Sequence, residues 1–517
     1  MKYLKALLIF LVSLNMLAQN SARLNVNNID TEVRNNLSPF AIPGIGKSSY
    51  KINGDSSSLP IFSTGLYLGA VDNSGGIYIS GQRFRQGDED SFTWGPIGTT
   101  RATNNYQSYN RVWKVSQQDI WAHQQGFTTS EAIMNWPAHG DVANNEAFYL
   151  APFIDANHNG YYDPSQGDYP KIKGDEAVFY IMNDKDSTHS YHNTLPLGVE
   201  IHVMIYAFNS SLESVDNTTF VNYSIYNRST IDYQNFIISP NMDADLSCSG
   251  DDLGGCDSSR NVGYIYDDGD SLSVGANACP FYFGSGNVEG IKILNRNLEA
   301  ANIFGGFSSP VYYFPSATYN ILQGLTSTGN SFVHPIDSFP TKFVYPNGEQ
   351  EILNIDSSLL HISDKRICVS LEPITFPSNS SYCLDLAYVY YYDENLDRNQ
   401  NVIEFLHATD TIQTFYDDVN LSCVGFMTDT EIHDGQKLQK TTVQPNPFTD
   451  ETKFSFSKTI LDGKLIVYNS LGQVVESIVI FNQKELKLER KTLEKGIYIY
   501  AIFNGESLIS KGKIVIQ

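Results

Sequence analysis

Val199-Glu-Ile-His-Val-Met-Ile-Tyr-Ala-Phe208 decides the fold class. The stretch is rich in β-branched and aromatic side chains, lacks Gly and Pro, and alternates partly, as a strand with one buried face does. Tyr382-Cys-Leu-Asp-Leu-Ala-Tyr-Val-Tyr-Tyr391 carries the same signature more strongly. Working outward, 177–182, 219–226 and 236–238 read as further strands, and 61–62, 65–69, 76–79 and 112–115 as shorter ones broken by turns. Two stretches depart from the pattern. Residues 116–124 read as a short helix capped by Ser116, and 401–419 place Val402, Ile403, Phe405, Leu406, Ile412 and Phe415 at helical spacing. No internal repeat of fixed period is present. The fold class is mainly β, as packed antiparallel β-sandwich domains.

Composition agrees. Of 517 residues, 41% are hydrophobic and 13% aromatic, enough for several packed cores and too apolar for a disordered chain. The 34 basic and 57 acidic side chains leave a net charge of −23. Such a body repels nucleic acid and anionic membrane surfaces, which excludes both as general partners, and it suits divalent cations.

Both ends differ from the middle. Lys2 and Lys5, the apolar run 6–14 and Leu17-Ala18-Gln19 have the form of a secretory signal over 1–18. The run is too short to span a bilayer, and Asn15 interrupts it. No other stretch approaches spanning length, so the mature chain is expected to be secreted or on the outer cell surface, without a transmembrane helix. Residues 443–517 carry ten Lys/Arg against eight Asp/Glu. With +2 at each end, the total of −23 leaves −27 for the body 19–442. Residues 428–442 are polar and aperiodic, a linker. Within the tail, 453–457, 464–468, 474–475, 495–500 and 513–516 read as strands of a small Ig-like β-sandwich. The expected organisation is a signal 1–18, a β-rich region 19–150, an acidic β-rich body 151–427, the linker 428–442 and the C-terminal module 443–517.

The tail resembles a known family. Pro445-Asn446-Pro447-Phe448, Leu465-Ile-Val-Tyr-Asn469 with Leu471-Gly472-Gln473, Lys495-Gly496-Ile-Tyr498 and Gly512-Lys-Ile-Val-Ile516 are similar to the type A C-terminal sorting domain of the type IX secretion system of Bacteroidota. The resemblance implies an address label read by the secretion machinery at the outer membrane. It also implies removal of the label as the cargo is released or joined to a surface glycolipid. Between 130 and 265, motifs such as Asn135-Trp-Pro-Ala-His-Gly-Asp141 and Asn222-Tyr-Ser-Ile-Tyr-Asn-Arg228 make the body similar to uncharacterised surface or secreted proteins of the same group.

The sharpest local chemistry is Asp155-Ala-Asn157-His-Asn159-Gly160-Tyr161-Tyr-Asp163, followed by Asp168. Oxygen side chains at alternate positions, a Gly for the sharp turn and the backbone carbonyl of Tyr161 make a hard-cation loop. Calcium suits it better than Mg²⁺, which takes fewer protein ligands. An EF-hand needs Glu where Gln166 stands, so the spacing is nearer to thrombospondin type 3 or dockerin loops, with Asp168 or Asp175 closing the shell. The alternative is an Asx-rich turn that binds nothing. A second cluster, Asp243, Asp245, Asp251, Asp252 and Asp257, is either a cation site or a solvated acidic loop.

Six cysteines in an exported chain suggest disulfides, and Cys368 with Cys383 is one expected bridge. No CxxC pair favours zinc, and no G-x-S-x-G, H-E-x-x-H or P-loop is present. His189 and His192 read as loop residues, and His202 as a hydrogen-bonded strand residue. Two functions remain open. One is a calcium-stabilised, non-enzymatic binding or adhesion protein with a glycan or protein ligand. The other is a secreted hydrolase acting on polysaccharide or protein, which would show as a cleft with paired carboxylates.

Overall fold

The computed structural model describes residues 20–517 apart from 37, 43–46, 56–58, 82–90, 99–105, 186–188, 190–191, 247–251, 269–285, 304–313, 335–337, 355–363, 420, 422–440, 469–473, 492 and 505–506. The signal, most of the linker, Asp251, Gly472, Cys248, Cys279 and Cys423 lie outside the described residues. The chain divides into two compact units, Met1–Met427 and Thr428–Gln517.

The first unit is centred on a nine-stranded antiparallel sheet. Its order is Asp252–Asp257, Val262–Asp267, Val288–Ile293, Ser381–Tyr391, Thr218–Asn227, Val199–Ala207, Glu176–Asn183 and Thr93–Trp94, with Trp113–Ser116 also pairing Glu176–Asn183. A six-stranded sheet contains Leu298–Ile303, Arg366–Leu371, Tyr233–Ala244, Ile61–Val71 and Ile77–Ser80 in that order, with Ile374–Phe376 beside Tyr233–Ala244. Between the two sheets lies one core that includes Val203, Ile205, Val221, Leu386, Tyr388, Leu68, Ile238 and Val369. Strands from before residue 150 sit in both sheets, because pairing is non-local: Ile61–Val71 joins Tyr233–Ala244, and Trp113–Ser116 joins Glu176–Asn183. The sequence division at 150 is therefore replaced by a single body.

The outer faces are covered as well. Helix Arg398–Asp418 lays Val402, Phe405, Leu406, Ile412 and Tyr416 on the far side of the nine-stranded sheet, where Phe405 meets Tyr264 at 5.2 Å between ring centroids. It starts earlier than the apolar spacing alone indicates. Asp397 caps it, with Gln400 completing a capping box. Gln117–Gln124 is capped by Ser116 as expected, with Asp119 returning the bond. Helix Pro315–Leu322 covers the far face of the six-stranded sheet. Val199–Ala207 is consequently buried at every position, not on one face only, which is why its alternation is incomplete.

The tyrosines follow the same logic. Tyr50, Tyr180, Tyr223, Tyr233 and Tyr388 are fully enclosed. Tyr50 Oη donates to Thr219 Oγ1 at 3.1 Å, Tyr180 Oη to the Asn36 carbonyl at 2.9 Å and Tyr233 Oη to the Leu197 carbonyl at 2.7 Å. Much of the aromatic wealth is thus core rather than binding surface. The expected Cys368–Cys383 bridge is not formed. Cys368 lies in the six-stranded sheet and Cys383 in the nine-stranded one, and Cys368 is a buried free thiol 2.7 Å from Ser239 Oγ. Cys256 is a second buried free thiol.

The C-terminal unit is a five-stranded antiparallel sheet curled on itself. Glu451–Tyr468 is long enough to pair Thr441–Gln444 at one end and Gly496–Asn504 at the other, while Val474–Glu489 runs along its opposite edge and Ser507–Ile516 pairs Gly496–Asn504. A break in register between Ser455 and Ile460 lets the strand bend. The curl encloses Phe448, Phe454, Leu465, Tyr500, Ile502 and Ile514. Asn446 fastens the first motif to the last strand: its Nδ2 donates to the Lys513 carbonyl at 2.8 Å, and its Oδ1 accepts from the Val515 amide at 2.9 Å.

One buried ion cluster ties the nine-stranded sheet together. Glu200, fully enclosed, accepts from Arg228 at 3.1 Å, from His202 at 3.0 Å and from the Ile97 amide at 2.7 Å. Burial opposes the Glu200 charge, but the Arg228 guanidinium and the His202 ring outweigh it and hold the carboxyl at about 2, against an ordinary 4.5. Replacing Arg228 with Ala removes this carboxylate's guanidinium partner, a loss on the order of 3 kcal/mol at neutral pH. Because the folded pKa is depressed, the stabilisation is complete above pH 4.5 and fades toward pH 2. Urea melts of wild type and Arg228→Ala should therefore converge as pH falls through that window. In the C-terminal unit, Asn446→Ala removes two hydrogen bonds, about 1–2 kcal/mol of local stability. The Phe448 amide, which donates to the Val515 carbonyl at 3.0 Å, should then exchange roughly tenfold faster in deuterated solvent.

Candidate functional site: an aromatic cleft beside the Asp155 loop

Phe153–Ile154 pairs antiparallel with Tyr169–Pro170, and this short ladder forms the neck of the loop 155–168. Inside the loop the polar side chains meet backbone amides. Asp155 Oδ2 accepts from Gly160 N at 2.7 Å and its Oδ1 from Asn159 N at 3.2 Å. Asn157 Oδ1 accepts from Asn159 N at 3.0 Å, and Asn159 Oδ1 from Tyr161 N at 2.7 Å. Asp163 Oδ1 accepts from Ser165 N at 2.9 Å. Asp168 is buried and bonds both ends of the loop, accepting from Ala156 N at 2.8 Å and Asp163 N at 2.7 Å. His158 and Gly160 take left-handed backbone angles, φ 61° and 82°, that turn the chain tightly here. Partial desolvation raises the Asp155 carboxyl, yet the Gly160, Asn159 and His158 amides prevail and hold it below its ordinary value. The loop's carboxylates are thus engaged by backbone amides.

Against this loop opens a cleft of about 500 Å³, lined by Tyr149, Pro152, Phe153, Asp155, His158 and Lys171 among others. Behind it His139 stacks on Phe148 at 4.3 Å and lies 5.3 Å from the Phe153 ring, while Tyr149 and Phe153 stack at 6.5 Å. His139 Nε2 accepts from the Tyr162 amide at 2.9 Å, so its proton resides on Nδ1, which donates to the Phe148 carbonyl at 3.1 Å. Burial lowers its pKa further. His139 is accordingly a neutral brace with both nitrogens occupied, and it is not placed to act as a base. Tyr161 is 61% exposed. The cleft lining contains one carboxylate, Asp155, rather than a pair.

The second acidic stretch rearranges. Among the described residues, Asp243, Asp245 and Asp364 bring ligand oxygens within 4.8 Å of one another. Asp364 was not visible from the local sequence. It arrives because Arg366–Leu371 pairs Tyr233–Ala244, with Arg366 opposite Asp243. Arg366 donates to Asp243 Oδ2 at 3.0 Å and to Asp364 Oδ2 at 2.9 Å, while the buried Asp243 Oδ1 has no partner. Burial pushes Asp243 well above the ordinary carboxylate range, and burial with the neighbouring Asp364 pushes Asp245 up to about 6. One Arg against three carboxyls leaves a place where a cation would relieve repulsion. Asp252 and Asp257 do not join it. They sit at opposite ends of one strand in the other sheet, and Asp257 pairs Arg260 at 2.7 Å. The acids of this stretch are thus largely strand residues, not a solvated loop.

His189 and His192 are buried rather than in an exposed polar loop, with His189 Nε2 2.8 Å from the Asp184 carbonyl, and His202 bonds Glu200 as described. Of the sorting motifs, Pro445 and Pro447 flank the Asn446 fastening. Gly496 opens its strand opposite Ile516, and Gly512 pairs Tyr500. Among the described residues no helix is long and apolar enough to cross a membrane.

Residues 442–517 match the secretion system C-terminal sorting domain family. No curated protein matches the chain. Among solved structures, the chain is similar to a polysaccharide lyase at 8% identity and TM-score 0.19, covering 71% of this chain and 38% of the lyase. It is also similar to the BSP domain of a biofilm associated protein at 10% identity and TM-score 0.16, covering 66% of this chain and 59% of that one. The chain thus spans less than two thirds of either structure, and likeness this distant carries no functional argument. The C-terminal match does: the last 76 residues are a type IX secretion sorting domain, and the chain is a cargo of that system, exported to the cell surface or the medium.

Proposed function

We propose that the exported body acts by binding, holding a glycan in the aromatic cleft beside the Asp155 loop, with Ca²⁺ bracing the scaffold. The observation that carries this reading is the cleft's lining: stacked rings with one amide-bonded carboxylate and one lysine. Ring faces hold the C–H faces of sugars, while a glycosidase needs two carboxyl groups across the scissile bond. For calcium, the support is the alternating Asp155, Asn157, Asn159 and Asp163 of the loop, and the unpartnered oxygen of Asp243 among its acidic neighbours. Engagement of the outer-membrane secretion machinery belongs to the C-terminal unit, and attachment to a surface glycolipid is the fate we assign to the released body.

Glycan-array screening of the mature chain, followed by titration, should give a ligand whose affinity falls at least tenfold in Tyr149→Ala or Phe153→Ala. Release of cleaved sugar or peptide products by the wild type would instead establish the hydrolase. Calcium at a hundred times its Kd should stabilise the body by about 2.7 kcal/mol. Asp245→Asn and Asp155→Asn should each remove one class of site from the calorimetric isotherm. Absence of binding heat together with an unchanged melt on chelation would refute the calcium assignment.

A further inference from the structure

A larger groove, about 880 Å³, opens elsewhere on the body. It forms where the chain crosses between sheets, from Val288–Ile293 to Leu298–Ile303, with the turn 258–261 on one side and helix Arg398–Asp418 on another. Its chemistry is opposite to that of the body around it. In a chain of net charge −23, it gathers Arg260, Lys292 and Arg296 against Glu372 and Asp410.

These charges are not equivalent. Arg260 is committed to the fold, bonded to Asp257 at 2.7 Å, Glu349 at 2.7 Å and Asp410 at 3.0 Å, and this also consumes Asp410. Lys292 is only 3% exposed, and its ammonium donates to the Arg260 carbonyl; among the described residues it bonds no carboxylate. An ammonium has three donors, so a buried one with a single acceptor retains unspent capacity for an anion. Burial draws its pKa down to about 8 against the pull of the nearby Asp410, Asp257 and Asp417 carboxylates, none of which bonds it. Arg296 is exposed and lies over the Tyr382 ring, 4.6 Å from the centroid. Its Nη1 donates to the Asn295 carbonyl at 3.0 Å, and among the described residues it too bonds no carboxylate.

We propose that this groove binds an acidic oligosaccharide, with Lys292 and Arg296 receiving its anionic groups and Tyr382 supporting a ring. The rest of the lining fits a polyhydroxylated chain better than an apolar ligand: Asn297 offers an amide, and Gln413 and Thr414, whose donors are spent on Leu294, Asp417 and Asp410, offer side-chain oxygens as acceptors. A volume of about 880 Å³ suits a short oligosaccharide rather than a single ion. The site is independent of the aromatic cleft, and its ligand differs in charge.

The test is calorimetric titration of the mature full chain with oligogalacturonate, a sulfated glycosaminoglycan fragment and a neutral maltooligosaccharide. At least one anionic ligand should bind, the neutral one should not, and affinity should fall with added salt. The two anionic arms distinguish a carboxylate from a sulfate ligand. Arg296→Ala, at an exposed position that leaves the core intact, should weaken binding tenfold or more, and Lys292→Gln should do the same, whereas Tyr149→Ala should not. Anionic binding unchanged in Arg296→Ala, neutral binding of equal strength, or no binding at all would overturn the proposal. So would loss of anionic binding in Tyr149→Ala alone, which would move the ligand to the cleft.

Discussion

The burial of both faces of the nine-stranded sheet is the constraint on which the body depends. A strand such as Val199–Ala207, enclosed at all nine positions, can exist only where something covers each side. The six-stranded sheet supplies one cover. Helix Arg398–Asp418 and the segment that includes Trp136 and Leu150 supply the other. The functional surfaces are by-products of this covering. The aromatic cleft and its loop belong to the outer cover, and the cationic groove lies where the chain passes from one sheet to the next.

Enclosure also governs the polar groups. The sheet carries Glu200, Asn222 and Asp385 into low-dielectric surroundings, and each finds charged or amide partners: Arg228 for Glu200, and Lys173 at 2.9 Å for Asp385, which also accepts from Asn222 at 2.8 Å. A sheet with one wet face could leave such groups to solvent. Here each demands a specific neighbour from a distant part of the chain, which makes the body cooperative and explains why its early and late segments form a single unit.

The sequence made the β class legible because β-branched and aromatic runs are local. Both helices it indicated exist, since caps such as Ser116 and spaced apolar residues are also local. The Asp155 loop was legible for the same reason. Three features were not. Asp364 reaches Asp243 only through strand pairing, and the two are far apart in sequence. Cys368 and Cys383 look like neighbours along the chain yet belong to different sheets. The groove draws its lining from five separate stretches, none of which has a motif. In the C-terminal unit, the stretches 453–457 and 464–468 read as two strands but belong to one, Glu451–Tyr468, and the curl arises from a register break that no residue type announces.

The free thiols carry a consequence of their own. Burial draws Cys368 up to about 12 and Cys256 well above its ordinary value. At neutral pH the thiolate of Cys368 is then on the order of one part in a hundred thousand. Outside the cell, where thiols are readily oxidised, the native interior is what preserves these two in reduced form. A molecule that opens exposes these core side chains to oxidation, and an oxidised, polar sulfur no longer fits the site it left, so opening and oxidation reinforce each other.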